Sequence, residues 1–214
     1  MTDATVGVMT VGVILAGGLA RRMGGGDKAL RLVGGRTVMA RLLERMAPQV
    51  ARLILNANDD PARFLEWGLP IVPDSLPDHP GPLAGVLAGL DWTAATCGAE
   101  WLVSVPGDAP FLPADLVARL HQARAAADAT FACAASGGWT HPVVGLWPVA
   151  LRGELRAALL AGVRKIDAFT ARHRTATAEW PIEGADPFFN VNTPADLAAA
   201  ERLANQAPHD NHDS

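Results

Sequence analysis

The sequence predicts a single-domain α/β fold of Rossmann-like architecture, with a mostly parallel (mixed) sheet and helices on both faces. Strand-like and helix-like segments alternate along the chain, which is typical of a parallel sheet joined by crossover helices. Residues 11–15 form a continuous apolar run of the kind found in strands that are buried on both faces. Half of the 214 residues are hydrophobic, so one large core can form.

In the first half of the chain, residues that favour helix starts mark two of the helices that follow this strand. Thr37 is the expected N-cap of a helix that ends near Met46, because the apolar residues between them share one helical face. Pro82 occupies the first turn of a later helix, where proline is favoured. We also predict strands at residues 52–55 and Ile71–Val72, a short helix at Pro61–Trp67 and a helix at residues 83–93.

The second half continues the alternation and ends in a polar segment. Strands are expected at residues 101–105, 130–134, 143–147 and 188–191. Helices are expected from Pro113 to about Ala127 and at residues 149–160, 165–172 and 194–204. We expect one domain over residues 1–207 and a disordered polar tail over residues 208–214.

The charge balance argues against a nucleic-acid partner and favours a small anionic ligand. A net charge of −4 argues against a nucleic acid held by bulk electrostatics. Residues 19–36 nevertheless carry five cationic side chains and one acidic one, which favours a small anionic ligand.

Cys97 and Cys133 have no metal-ligand spacing and are expected to be reduced thiols. The apolar N-terminal run is too short to span a bilayer and lacks preceding basic residues, so we expect a soluble, cytoplasmic protein without a membrane partner.

The loop after the first strand, residues 15–28, has the composition of a phosphate-binding loop. It combines five glycines with Arg21, Arg22 and Lys28, so backbone N–H groups and cations can both approach an anion. A Walker A loop is excluded because Ala29 follows Lys28 where that motif requires Ser or Thr. The glycine spacing also departs from the dinucleotide-binding fingerprint. A flexible surface loop is the alternative interpretation.

Polar side chains follow three further predicted strands. Asn56, Asp74 and Asp108 all occupy such positions, and ligands of open parallel sheets bind beyond the carboxyl ends of the strands. A carboxylate such as Asp108 suits Mg²⁺, which takes one or two carboxylates together with phosphate and water oxygens. Its alternative role is a helix cap. The side-chain amide of Asn56 offers a hydrogen-bond donor and an acceptor that can read the edge of a nucleotide base. The carboxylate of Asp74 suits either contact with a ligand or a local Asx turn.

Motifs spread over nearly the whole chain carry a family resemblance. They are LAGG at residues 15–18, RRMGGGDKAL at 21–30, NAN at 56–58, PDSLPDHPGPLAG at 73–85, PGDAPF at 106–111, HP at 141–142 and NVNTPADL at 190–197. The set resembles the signature of nucleotidyltransferases that act on nucleoside triphosphates, and most closely that of the molybdenum cofactor guanylyltransferases. LAGG alone also fits sugar-nucleotide enzymes, whereas DHPGPLAG followed by NVNTP narrows the resemblance sharply.

The resemblance implies a reaction and a set of residues. The reaction is transfer of GMP from GTP to molybdopterin with Mg²⁺ as cofactor, and cofactor-biosynthesis proteins and acceptor molybdoenzymes are the implied protein partners. The implied catalytic residues are Lys28, Arg22 and Asp108, the last as the metal ligand. The implied nucleotide-binding residues are Leu15, Ala16, Gly17, Gly18, Lys28, Asn56, Asp74 and Asp108. Candidates for the second substrate are Gly81, His141, Asn190 and Asn192. The two asparagines also suit the metal or a helix-capping turn, and His141 also suits an ordinary loop.

Two other functions fit parts of the pattern. One is a related enzyme, either a cytidylyltransferase on the same cofactor or a sugar-phosphate nucleotidyltransferase. Cytidylyl relatives tend to have LAAG where this chain has LAGG, so Gly17 favours guanine. The other is a carrier that binds the cofactor without making a bond, and the carboxylate of Asp108 argues against it. The transferase needs no general base, because a phosphate nucleophile with a second pKa of about 6 is already largely ionised.

Overall fold

The computed structural model describes residues 9–16, 28–58, 60–76 and 81–206, and these form a layered α/β fold. The strands are β1 (Thr10–Leu15), β2 (Leu32–Val33), β3 (Arg36–Thr37), β4 (Arg52–Asn56), β5 (Ile71–Val72), β6 (Trp101–Pro106), β7 (Phe131–Ser136), β8 (Trp139–Pro148) and β9 (Thr175–Trp180). The α-helices are α1 (Val38–Met46), α2 (Pro82–Thr96), α3 (Leu116–Ala126), α4 (Arg152–Leu160), α5 (Ile166–Thr170) and α6 (Pro194–Gln206). Short 3₁₀ helices lie at Lys28–Leu30, Ala47–Gln49, Pro61–Trp67 and Val149–Leu151.

Seven of these strands form one mixed sheet in the order β5-β4-β1-β6-β8-β7-β9. β1 pairs in parallel with β4 and β6, β4 with β5, and β7 with β9. β8 is antiparallel to both of its neighbours, β6 and β7. The predicted fold class is therefore confirmed, and the carboxyl ends of β1, β4, β5 and β6 meet at one edge of the sheet.

Helices cover both faces of this sheet, as the sequence predicts. Adjacent residues of β1 divide between two cores, because successive side chains of a strand point to opposite faces. Val13 packs in the core formed with α2, α4 and α5, whereas Ile14 packs in the core formed with α1, α3 and α6. Both side chains are fully buried. This packing fixes the strand whose end borders the glycine-rich loop.

Three local predictions are confirmed, at Thr37, at Pro82 and at the two cysteines. Thr37 caps α1, and its Oγ1 accepts a hydrogen bond from the N–H of Ala40 at 3.1 Å. Pro82 is the first residue of α2. Cys97 and Cys133 are both free thiols. Within the described part of the chain, no helix is long and apolar enough to cross a membrane.

The predicted strand at residues 188–191 is wrong, because this segment is irregular in the structure. Phe188 and Val191 are buried, and Phe188 packs against the rings of His141 and Trp180. The apolar character of the segment therefore reflects tertiary packing and not a ladder of strand hydrogen bonds. Conversely, β9 is a strand that was not predicted from the sequence. Its residues alternate between exposed and buried positions, but two of the three buried side chains are alanines, which give a weak apolar signal.

Other differences concern the ends of elements. α3 begins at Leu116, after the predicted start at Pro113, and the helix predicted at residues 149–160 divides into a 3₁₀ turn followed by α4. β8 begins earlier than predicted and pairs with β7 in a hairpin. The small β2–β3 hairpin was also not predicted from the sequence. Two residues per strand are too few to produce a recognisable periodicity.

Candidate active site

A cavity of about 510 Å³ opens at the edge of the sheet where β1, β4, β5 and β6 end. Most of the site residues predicted from the sequence line it, namely Leu15, Ala16, Lys28, Asn56, Asp74, Gly81, Asp108, Asn190 and Asn192. Three predicted residues, Gly17, Gly18 and Arg22, lie outside the described residues. Four segments that are distant in sequence therefore meet at one crevice, as the positions after the strands predict.

The floor of the cavity is made of closely packed backbone. Leu15 lies level with Asn56 on one side and with Pro106 on the other. The N–H of Ala16 donates to the carbonyl of Asn56 at 2.9 Å, and the N–H of Gly107 donates to the carbonyl of Leu15 at 3.0 Å. A Cβ atom at residue 107 would lie 3.0 Å from that carbonyl oxygen, which is closer than most Cβ contacts, so the glycine eases the close approach of the two strand ends.

One end of the cavity carries a hydrogen-bonded group of three side chains, the Asn56–Asn58–Asp74 cluster. Asp74 Oδ1 accepts from Asn56 Nδ2 at 2.9 Å, and Asp74 Oδ2 accepts from Asn58 Nδ2 at 2.8 Å. The backbone N–H of Asp74 in turn donates to Asn58 Oδ1 at 2.7 Å. Asp74 is thus held at both carboxylate oxygens and at its backbone, which fixes its position after β5.

Asn56 acts within this cluster mainly as a support. It is 4% exposed, and its two amide hydrogens go to the carbonyl of Val72 at 3.0 Å and to Asp74. In this arrangement the amide has no hydrogen left to donate to a base. A Cβ atom at Gly85 of α2 would lie 2.2 Å from Asn56 Oδ1, so the glycine makes room for the side chain.

The other end of the cavity carries charge, in the Lys28–Asp108–Asn192 cluster. Lys28 Nζ lies 3.3 Å from Asp108 Oδ2 and also donates a hydrogen bond to Asn192 Oδ1. The side chains of Lys28 and Asp108 are only 22% and 18% exposed. Burial raises the pKa of the Asp108 carboxyl above its ordinary value, and the neighbouring Lys28 ammonium group partly opposes this shift.

A capping arrangement at the start of α6 holds Asn192 in place. Asp196 Oδ2 accepts hydrogen bonds from the N–H groups of Asn192 at 3.0 Å and Thr193 at 2.8 Å, while the N–H of Asp196 donates to Thr193 Oγ1 at 3.1 Å. The N–H of Val191 donates to the carbonyl of Asp108 at 2.8 Å. Asp196 was not among the residues predicted from the sequence, although Thr-x-x-Asp at the start of a helix resembles the capping-box pattern, which would have indicated it.

His141 is placed differently from the other candidates for the second substrate. It is not among the described residues that line the cavity. Its Nε2 lies 2.8 Å from Ser136 Oγ, which also donates to Asp186 Oδ1 at 2.8 Å, and its ring packs against Phe188. Burial lowers the pKa of His141 below its ordinary value. These contacts give the ring a packing role in the β7–β8 hairpin.

The charged end has the donor atoms of a divalent cation site. Two hard oxygens, Asp108 Oδ2 and Asn192 Oδ1, converge on one cationic group, the ammonium of Lys28. Carboxylate and amide oxygens with room for phosphate and water oxygens suit Mg²⁺. No group of three or more His, Cys, Asp or Glu side chains placed to hold a metal is found among the described residues. The two oxygens of Asp108 and Asn192 therefore fit a cation that takes most of its ligands from the phosphates of a bound substrate and from water.

The sequence profile of the family described as "MobA-like NTP transferase domain" matches residues 12–176, which is most of the chain. The chain belongs to this family. It is 61% identical over 198 residues to the molybdenum cofactor guanylyltransferase of Rhodopseudomonas palustris strain HaA2, and the match covers 92% of each protein. It is 57% identical over 206 residues to the protein of the same name from Bradyrhizobium sp. strain ORS 278, over 95% of this chain and 97% of that one. The resemblance found in the sequence is confirmed.

Solved structures agree with the fold. Molybdopterin-guanine dinucleotide biosynthesis protein A from Archaeoglobus fulgidus superposes with a TM-score of 0.73 at 25% identity, over 93% of this chain and 100% of that one. A nucleotidyl transferase from Methanothermobacter thermautotroptrophicus shares the fold, with a TM-score of 0.69 at 19% identity over 94% of this chain and 100% of that one. The protein is a nucleotidyltransferase, and its cavity lies at the sheet edge predicted from the sequence.

Proposed function

We propose that this nucleotidyltransferase transfers GMP from GTP to molybdopterin, releasing pyrophosphate and forming molybdopterin guanine dinucleotide. The relatives that it matches over nine-tenths of their length bear the name of a guanylyltransferase. The observation that carries the proposal is the division of the cavity between the charged Lys28–Asp108–Asn192 cluster and the Asn56–Asn58–Asp74 cluster. A nucleoside triphosphate has the same two parts, an anionic chain and an uncharged base and sugar.

The Asn56–Asn58–Asp74 cluster supports binding of the guanosine part. Each oxygen of Asp74 accepts one hydrogen bond from an asparagine and keeps further acceptor capacity. The groups that fit there are donors, such as the ribose hydroxyls or the N–H groups of guanine, including its N2 amino group. We therefore assign the nucleoside to this end, with the backbone of Leu15 and Ala16 beside it.

The charged end supports binding of the triphosphate. Two polyanionic substrates must meet, so charge neutralisation and alignment matter more than a general base. Lys28 is a compact cation suited to phosphate oxygens, and a bound Mg²⁺ held by Asp108 and Asn192 would neutralise the charge that develops on the triphosphate. None of the described lining residues is a histidine, in keeping with a phosphate nucleophile that is already ionised.

The second substrate requires a further part of the cavity. Gly81 and Pro82 lie at the N-terminus of α2, where the positive end of the helix dipole favours an anion. We assign molybdopterin to Gly81, Asn190 and Asn192, with its terminal phosphate directed toward the α-phosphorus of GTP. Attack there forms the new P–O bond in line with the bond to pyrophosphate, which breaks. We propose that the reaction takes place in the cytoplasm and that its product passes to other cofactor-biosynthesis proteins or to acceptor molybdoenzymes.

A turnover assay with four nucleotides tests the proposed function. The protein is incubated with molybdopterin, Mg²⁺ and one α-³²P-labelled nucleoside triphosphate, and pyrophosphate and labelled dinucleotide are measured together. We expect equimolar pyrophosphate and dinucleotide with GTP and little of either with CTP, ATP or UTP. Turnover with CTP instead of GTP would show that the base assignment is wrong. Tight binding of molybdopterin without pyrophosphate release from any nucleotide would indicate a carrier instead of an enzyme.

A further inference from the structure

The ammonium group of Lys28 lies between Asp108 and Asn192, at the position that the proposed function gives to a divalent cation. Lys28 Nζ donates to Asp108 Oδ2 and to Asn192 Oδ1, residues that follow it by 80 and 164 positions in the sequence. Lys28 is also the one cationic side chain among the described residues that line the cavity. The ammonium group therefore takes the two oxygens that the proposed function gives to a divalent cation.

An ammonium group and a divalent cation cannot share these two oxygens without strong repulsion. The Lys28 and Asp108 side chains are mostly shielded from solvent, so their charges are screened less than those on the surface. Lys28 compensates a carboxylate whose burial without a partner would be costly. Its long, flexible side chain also allows the ammonium group to move to another anion nearby.

We propose that the Lys28 ammonium group occupies the cation position between Asp108 and Asn192 until a bound triphosphate draws it away, so that nucleotide and divalent cation bind cooperatively. The inference rests on the proposed function, because it takes the triphosphate and the metal as ligands of this cavity. The phosphates offer Lys28 a stronger anionic partner than a single carboxylate. Once Lys28 has moved, its two former oxygens are free for the metal. The cooperativity is reciprocal, since each ligand must raise the affinity for the other by the same factor.

Metal binding without turnover tests this inference. Free Mn²⁺ is measured by electron paramagnetic resonance with the whole chain, with and without the non-transferable α,β-methylene analogue of GTP, and without molybdopterin. We expect Lys28→Met to bind Mn²⁺ about tenfold more tightly than wild type in the absence of nucleotide. After correction for Mn²⁺ bound by the analogue in free solution, the analogue should raise the Mn²⁺ affinity of both proteins, because its phosphates supply metal ligands, but that of wild type by about tenfold more than that of Lys28→Met. Lys165→Met is the matched control, because Lys165 is the only other lysine and does not line the cavity, so this variant should behave as wild type.

Equal or weaker Mn²⁺ binding by Lys28→Met, relative to wild type, overturns the inference. Asp108→Asn separates this failure from failure of the proposed function. If Asp108→Asn abolishes Mn²⁺ binding while Lys28→Met binds no more tightly than wild type, only the role of Lys28 is wrong. If Asp108→Asn binds Mn²⁺ as wild type does, the metal assignment itself is wrong.

A measurement on the wild-type chain keeps the inference testable if the Lys28 variants do not fold. With lysine labelled by ¹³C at Cε alone, the spectrum has two labelled signals, because the chain has two lysines. Saturating Mg²⁺ alone should move the Lys28 signal toward that of a solvated lysine and leave the Lys165 signal unchanged. A Lys28 signal that stays in place while Mg²⁺ binds contradicts the proposed exchange.

Discussion

The two ends of the cavity differ in how they are built. The partners of the Asn56–Asn58–Asp74 cluster are at most 18 residues apart along the chain and lie at the ends of two adjacent strands. The partners of the Lys28–Asp108–Asn192 cluster are brought together by the tertiary fold across 80 and 164 residues. The first cluster is a network of amides and a carboxylate, whereas the second is held together by one lysine ammonium group.

This difference suggests different tasks. Within the first cluster, the Asp74 side chain and its backbone N–H are already paired, so the cluster is organised before a ligand arrives and should mainly affect binding of the nucleoside. At the charged end, a single ammonium group holds the two oxygens that the proposed function gives to a divalent cation. Under that proposal this end rearranges when the ligands bind, and its residues should mainly affect the rate of transfer. Each of the following variants tests this division.

The largest effect is expected for Asp108→Asn at the charged end. Removing the carboxylate should lower kcat by about 10²–10³-fold, the range for loss of one strong electrostatic contribution at a reacting group. The fold should be retained, as judged by circular dichroism and thermal unfolding. Asp128→Asn is the matched control, because Asp128 lies on an exposed loop with a positive φ that asparagine tolerates. Near-normal pyrophosphate release by a folded Asp108→Asn protein would contradict the assignment.

Gly85→Ala should damage the other end through packing alone. The new methyl group would lie 2.2 Å from Asn56 Oδ1, and the hydrogen bonds of Asn56 prevent it from turning away easily. We expect a loss of about 1–3 kcal/mol in the free energy of unfolding, together with a higher KM for GTP. Gly153→Ala is the control, because a Cβ there meets nothing within 4 Å in α4. A normal KM in Gly85→Ala would show that Asn56 does not support nucleotide binding.

Asn58→Ala tests whether the first cluster affects binding more than rate. It removes one hydrogen bond to Asp74 Oδ2 and one from the Asp74 backbone, leaving Asn56 in place. We expect the KM for GTP to rise about tenfold, the equivalent of one to two hydrogen bonds, with kcat little changed. Asn58→Asp should have a larger effect, because it places a second carboxylate beside Asp74. A fall in kcat at unchanged KM would remove the distinction between the two ends.

The smallest effect is expected for Asp196→Ala, which loosens Asn192 without touching a ligand. It should cost about 1 kcal/mol of stability through loss of the α6 cap, and kcat should fall several-fold. Thr37→Ala removes the cap of α1 away from the cavity and should cost similar stability at unchanged kcat. Equal kcat values in these two variants would show that Asp196 is only a helix cap.

Sequence reasoning predicted the parts of this molecule that depend on local patterns. The apolar run of β1, the cap at Thr37 and the polar residues after β4, β5 and β6 were visible because each signal lies within a few residues. β9 and residues 188–191 were not, because the first is built on small residues and the second owes its apolar side chains to tertiary packing. The contact of Lys28 with Asp108 and Asn192 joins three distant segments, so no local pattern could show that they share one cation position.

One crystallographic measurement tests the division of the cavity most directly. Crystals are soaked with the α,β-methylene analogue of GTP and Mn²⁺, and the metal is located by anomalous scattering. We predict a Mn²⁺ peak bonded to Asp108, Lys28 Nζ on a phosphate oxygen, and guanosine against the Asn56–Asn58–Asp74 cluster. A nucleotide bound outside the cavity, or in the reverse orientation with its base beside Asp108, would contradict the account.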